Sequence, residues 1–402
     1  MTQTVQQRVL AARAGVAAVF ALNGLAVASW FARVPTARDA LGLTPGQLGV
    51  LMLALSVGSL LAMTTAGALT RRLGTSRTVA VATLLLAVGL AVVGVAIGPW
   101  PAVWAVGVGL FTIGFGTGSC EVAMNVEGAA VERRLGRVLL PRFHAAWSLG
   151  TVTGAGLGAG SAQVGFAVVA HLALVAAVVL AGTLLAVRTF LSARPDPTAA
   201  AEPTAGHPDE RAVGRRRAPA AWRERRTLLI GLFVLVMAFT EGTANDWLAV
   251  AFVDGRGVSA ATGAVAFGVF VAMMTLGRTF GTLALERWGR VPVLLVTMLL
   301  AAAGALTTVL AGSLGLALVG VAIWGAGVSL GFPVGMSAAA DEEHLAPARV
   351  SVVAAIGYTA FLAGPPLVGL LGDRIGTLRA LLIIPIVLIP ALALVPVTRP
   401  VR

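Results

Sequence analysis

Apolar residues run in stretches of 20 or more along almost the whole chain, interrupted by short clusters of Gly, Pro and Arg. Each stretch can cross a hydrocarbon core of roughly 30 Å at about 1.5 Å of rise per residue. The stretches lack a period-two alternation and are too long for barrel strands, so they are expected to be helices that satisfy their own backbone groups. The punctuation places twelve of them, at about 12 to 33, 46 to 69, 78 to 98, 102 to 128, 142 to 164, 167 to 189, 227 to 251, 261 to 284, 291 to 312, 314 to 338, 349 to 371 and 379 to 397.

One long polar segment divides this series. Residues 191–226 hold Pro195, Pro197, Pro203, Pro208 and the run Arg215, Arg216, Arg217, and are too polar to cross a bilayer. They read as a flexible cytoplasmic linker. The expected organisation is therefore an all-α membrane protein with a six-helix bundle over 1–190, the linker, and a second six-helix bundle over 227–402. The halves resemble each other weakly. Gly114 and Gly116 on the fourth helix match Gly325 and Gly327 on the tenth, and Asn-Gly-Leu-Ala from Asn23 matches Glu-Gly-Thr-Ala from Glu241. Six plus six helices with internal similarity point to a duplicated transporter fold, with its site between pseudo-symmetric halves at mid-membrane.

Composition strengthens the membrane assignment. Charged residues make up 11% of the chain and hydrophobic residues 58%, against about 25% charged in soluble domains. Every basic residue is arginine, and the net charge is +12. A nucleic-acid partner is not expected, because the arginines cluster in short loops between apolar spans. With the N-terminus inside, the outer loops hold only Arg33, Arg38, Arg256, Arg374 and Arg379 of the 29 arginines. That bias orients both termini and the linker toward the cytoplasm of a bacterial inner membrane. The charged start at Arg8 and Arg13 leads into an apolar run with no small-residue cleavage site, so it reads as a retained first helix. Cys120 is the sole cysteine, which leaves no intramolecular disulfide and no thiolate metal site.

Polar residues inside the spans carry the candidate chemistry. Glu121 lies in an apolar stretch from Pro101 to Val131 in which Glu127 is the other charge. An ionised carboxylate in hydrocarbon is costly, so Glu121 is expected to face water and to take up and release a proton. Glu121, Asn125 and Gly128 share one helix face. One reading is a protonatable acid beside an amide that orients a ligand; the other is an interhelical hydrogen bond that pins packing. Glu127, a turn closer to the cytoplasm and beside Arg133 and Arg134, reads as a gate or surface ion-pair residue. On the seventh helix, Glu241, Asn245 and Asp246 line a cavity or its mouth, and Trp247 either stacks on a sugar-like ring or belongs to an interfacial belt. On the first helix, Asn23 and Trp30 are cavity candidates, while Arg33 at the outer end snorkels. Arg278 either pairs with Glu286 or holds an acid in the cavity.

Other motifs fail on context. Gly-Val-Ser-Leu-Gly at 327–331 spells a nucleophile elbow, but no strand precedes it. Gly154, Gly156, Gly158 and Gly160 lack the strand and lysine of a phosphate loop, and read as small residues for close helix contact. His144, His171, His207 and His344 show no metal-ligand spacing. No metal, cofactor or enzymatic activity is expected, and uphill transport would draw on an ion gradient.

Here the residues become recognisable. The loop Gly-Ala-Leu-Thr-Arg-Arg-Leu-Gly-Thr-Ser-Arg at 67–77 is similar to the Gly-x-Leu-Ala-Asp-Arg-x-Gly signature of the major facilitator superfamily, with Arg71 in place of the aspartate. The signature's helix-pinning charge is therefore altered. A second spelling at Gly369 to Gly376 falls in an outer loop and reads as a turn. Within that superfamily the chain most resembles the fucose-permease-like branch and its uncharacterised bacterial inner-membrane members. Glu-Val-Ala-Met-Asn from Glu121 resembles that branch's Glu-x-Ala-x-Asn, and residues 141–146 and 242–249 look like the uncharacterised members. The resemblance implies a role for Glu121 in sugar binding and proton coupling. Phe31 stands where the fucose permease has a first-helix aspartate, so sugar identity and a two-acid scheme do not carry over.

The expected function is secondary transport of a small polar, sugar-like solute by alternating access, coupled to protons at Glu121, by a monomer in the lipid bilayer. The alternatives are a proton-antiport exporter of drugs or secondary metabolites and a non-transporting membrane sensor.

Overall fold

The structure, a computed structural model, describes residues 3–136, 139–191, 221–342 and 345–400. Most of the expected linker, together with His207, His344 and the arginine run at 215–217, lies outside the described residues.

Among the described residues, eleven helical spans are long and apolar enough to cross a membrane. Leu140–Gln163, whose apolar residues are interspersed with Ser, Thr and five glycines, stands between the fourth and sixth spans as a further long helix. No strand occurs among the described residues. In chain order the first span is Gln3–Phe31 continued by Val34–Leu41, followed by Pro45–Leu73, Thr75–Ile97, Val103–Leu135, Leu140–Gln163 and Val168–Ala186. The seventh is Arg225–Arg256, followed by Ala260–Trp288, Arg290–Leu310, Leu314–Val328 with Gly331–Ala339, Ala346–Ile375, and Thr377–Ala380 with Ile383–Ala391.

Local sequence explains the breaks. Pro35 has no N–H to donate to the carbonyl four residues back, and the first span parts at Ala32 and Arg33. Pro333 does the same to Ser329, where the tenth span divides. The second span starts on a capping box. Thr44 Oγ1 accepts from Gln47 N and Gln47 Oε1 accepts from Thr44 N. The turn after the second span uses Gly74 at φ 81°, and the turn after the eighth uses Gly289 at φ 78°. Both need the left-handed region, which a Cβ disfavours.

The chain forms two compact units. The first comprises Met1–Pro197 with Gly257–Gly268, and the second Thr198–Arg256 with Val269–Arg402. In the first unit, the fourth span packs on the second and third, and the first span on the fifth and sixth. Glycines make this possible. A Cβ on Gly114 would sit 2.0 Å from Leu55 O, and one on Gly116 would sit 2.6 Å from Ala82 O. In the second unit the matching Gly325 and Gly327 do the same against Phe270 O at 2.4 Å and Ala301 N at 2.3 Å. The repeated glycines thus let backbones approach closely in both halves. Outward faces stay apolar, as lipid contact requires: Leu84, Val88, Leu174, Leu185, Leu299 and Leu310 are exposed.

Candidate functional site

In the first unit, Glu121 projects from the fourth span onto an exposed face. It forms no ion pair with a described residue. Asn125, one turn on, is half-buried, and its Nδ2 donates to the backbone carbonyl of Glu121 at 2.8 Å. The amide donor is therefore held by its own helix, and the carboxylate is left to solvent or solute.

On the first span, Asn23 is 2% exposed, and neither Nδ2 nor Oδ1 has a hydrogen-bond partner among the described residues. Trp30 is fully buried and its Nε1 is likewise unpartnered. Burying polar atoms without partners costs about 1–3 kcal/mol each. Arg33 does not snorkel. It is 2% exposed, its Nε donates to His171 Nδ1 at 3.2 Å, and its guanidinium also donates to Phe166 O. A guanidinium whose donors meet an imidazole and a carbonyl on the sixth span side has no need to reach the interface. Phe31 packs its ring 6.0 Å from Phe267 within the same unit.

Glu127 departs from the surface ion-pair expectation. It is 1% exposed, with Oε2 accepting from Thr75 Oγ1 and Oε1 from Leu191 N. The acid ties the start of the third span to the end of the sixth, since both present donors with no helical acceptor. Arg71 is exposed in the last turn of the second span. The glycine run at 154–160 splits by face. A Cβ on Gly154 would meet Leu25 O at 2.3 Å and one on Gly158 would meet Ala32 Cβ at 2.4 Å, whereas Gly156 and Gly160 meet nothing within 4 Å.

In the second unit, Arg278 pairs with Glu241 and not with Glu286. One Nη2 lies 2.9 Å from Glu241 Oε1 and 2.8 Å from Oε2, and Arg278 Nε donates to Ser329 O at 3.3 Å. Ser329 O is free to accept because Pro333 cannot donate to it. Glu241 is thus neutralised within its own bundle. Asn245 and Asp246 are half-buried and have no ion pair with a described residue. Trp247 is 1% exposed, which removes it from any surface on which a ring could stack in this conformation. The serine of the spelled elbow is 1% exposed and donates to Ala326 O at 2.7 Å, with no base beside it.

A charged cluster absent from the sequence reading closes one end of this unit. Asp341 accepts from Arg226 at 3.0 Å and from Arg290 at 2.7 Å, and Arg349 bonds Glu224 and Glu342. Its signal in the sequence is an arginine at the start of the seventh, ninth and eleventh spans with acids just past the tenth. Outside the spans, Glu224 has its carboxyl pKa lowered. Burial pushes it up, but hydrogen bonds from Arg349 and Thr227 and the charges of Arg349 and Arg226 outweigh that. Among the described residues, no group of three His, Cys, Asp or Glu side chains could hold a metal ion.

Comparison with known proteins places this geometry. The model of the Major Facilitator Superfamily matches residues 15–342. An uncharacterized MFS-type transporter of Yersinia pestis is 30% identical, covering 88% of this chain and 87% of the relative. Among solved structures, the nucleoside transporter NupG aligns with a TM-score of 0.76 at 13% identity, over 95% of this chain and 98% of that one. The E. coli fucose:proton symporter FucP aligns with a TM-score of 0.62 at 18% identity, over 97% and 98%.

Proposed function

The chain belongs to the Major Facilitator Superfamily, and on that premise we propose that it is a secondary active transporter of a small polar, sugar-like solute, coupled to protons at Glu121. The carrying observation is an exposed carboxylate on an apolar span with no ion-pair partner among the described residues. An unpaired acid in that setting must titrate or meet a ligand, because a fixed charge there is costly. Asn125, one turn away, supplies a polar neighbour for hydroxyls. Glu241 is set aside as a proton carrier, since it is committed to an ion pair with Arg278; Asp246, on the same span, has no ion pair with a described residue. The fucose:proton symporter and nucleoside transporter among the structural neighbours fit a polar, hydroxyl-rich cargo.

The two six-helix halves, joined by the polar segment at 191–226, rock to expose the site to each side in turn. The membrane is the bacterial inner membrane, with both termini cytoplasmic as the arginine distribution favours. For coupling to exist, solute binding must favour one protonation state of Glu121.

A thermal-shift screen against sugars, nucleosides and related polyols first selects a ligand, because a solute that binds the folded state raises its melting temperature. Uptake of that ligand into proteoliposomes is then driven by an imposed pH gradient. Wild type is expected to accumulate it, and Glu121→Gln to equilibrate it without accumulation. Undiminished gradient-driven accumulation by the variant removes Glu121 from the mechanism.

A further inference from the structure

At the arginine-rich end of the first unit, the start of the first span, the end of the fourth and the start of the fifth enclose a cavity of about 190 Å³. Gln6, Leu10, Arg13, Leu135, Leu139 and Arg142 line it. Gln6, Leu10 and Arg13 fall at i, i+4 and i+7, so a single face of the first span supplies half the wall. The volume is below the roughly 300 Å³ at which pockets for larger organic ligands begin, so a small charged group is the fitting occupant.

The charges here have no counter-ion among the described residues. Arg13 and Arg142 are exposed, and their guanidiniums form no ion pair or hydrogen bond with a described residue. The acid next to the cavity is already spent. Glu132 Oε2 accepts from the backbone N–H of Leu139 at 2.6 Å and of Leu140 at 2.9 Å, capping the fifth span. Glu127, further in, is committed to Thr75 and Leu191. Two free guanidiniums beside leucines, at the membrane end of three helices, make an amphipathic wall: cationic where headgroups lie and apolar where acyl chains begin.

We propose that this cavity binds the phosphate of an anionic phospholipid. Arg13 and Arg142 meet the phosphate oxygens through charge-assisted hydrogen bonds, and Leu10 and Leu135 lie along the first methylenes. Gln6 offers a hydrogen-bonding group to the glycerol or headgroup hydroxyls. Such a lipid would clamp together three helix ends of the first bundle. The proposal does not depend on the transport reading, since a chain that carried no solute would hold the same cavity.

The full chain in phosphatidylcholine nanodiscs is titrated with fluorescent phosphatidylglycerol. Arg13→Gln and Arg142→Gln are each expected to weaken binding about fivefold, the worth of one basic residue near an anionic surface, and the double variant roughly 30-fold. Arg8→Gln, an exposed arginine on the same helix outside the cavity, should change it little. Equal weakening by Arg8→Gln would mean diffuse surface charge and overturn the site, as would full binding by the double variant. Displacement of the lipid by inorganic phosphate, with a matching rise in melting temperature, would assign the cavity to free phosphate and overturn the lipid assignment. Should the glutamine pair unfold, Arg13→Lys with Arg142→Lys keeps the charge but not the forked geometry, and an intermediate loss is expected; no loss would refute the phosphate contact.

Discussion

Removing both partners of the Glu241–Arg278 pair should cost less than the sum of removing each alone. The two contacts from one Nη2 measure 2.8 and 2.9 Å, with side chains 18% and 31% exposed. At 2.8 Å the gross attraction is about 6 kcal/mol for an effective dielectric of 20. Desolvation of both ions takes back most of it. Exposed pairs contribute about 0–1 kcal/mol, and breaking fully buried ones from one side costs about 3–5. This pair lies between those limits, so Glu241→Gln and Arg278→Gln should each destabilise by about 2–3 kcal/mol. The double variant should lose less than their sum, with a coupling of about 2 kcal/mol. Equilibrium unfolding in mixed micelles, followed for all four proteins of the cycle, measures it. A coupling below about 0.5 kcal/mol would refute the reasoning, because contacting partners in one ion pair cannot be additive.

Other consequences concern packing, capping and pH. Gly150→Leu should destabilise by more than about 3 kcal/mol or abolish folded yield, since its Cβ alone would lie 1.8 Å from Ala21 O; Gly156→Leu, with nothing within 4 Å, should be tolerated. Size-exclusion profiles and melting temperatures of the two variants separate them, and equal behaviour would contradict the face assignment. Glu127→Ala should leave the Thr75 hydroxyl and Leu191 N–H without acceptors, at about 1–3 kcal/mol for each group. Faster amide exchange at the start of the third span and end of the sixth would register it, and unchanged exchange would count against the tie. Glu224 has a depressed folded pKa, so its stabilising effect is present above the ordinary glutamate value of about 4.3 and lost as pH falls through the folded value. Melting temperature should therefore drop on acidification below that range, and Arg349→Gln should flatten the drop. An identical pH profile in the variant would refute the assignment.

Much of the architecture could be read directly from the chain. The long apolar runs specify helices because no other open structure satisfies backbone groups in lipid. Pro35, Pro333, Gly74 and Gly289 mark breaks and turns by constraints of their own backbone. The paired glycines at 114, 116, 325 and 327 announce close helix packing in both halves.

The partners of the polar side chains were decided elsewhere. Arg278 meets Glu241, 37 residues away on another span, and not Glu286, eight residues on along its own helix. Glu127 turns out to be a buried tie, and Arg33 is buried against His171. Trp30 and Trp247 are core residues. Periodicity along a helix assigns residues to a common face, but in a membrane it cannot say which face is interior. Lipid is as apolar as a packed bundle, so the contrast that marks the core of a soluble helix is missing. Only the neighbouring helices supply it: they sorted Gly154 and Gly158 from Gly156 and Gly160, and among the described residues they gave an ion-pair partner to Glu241 and none to Glu121.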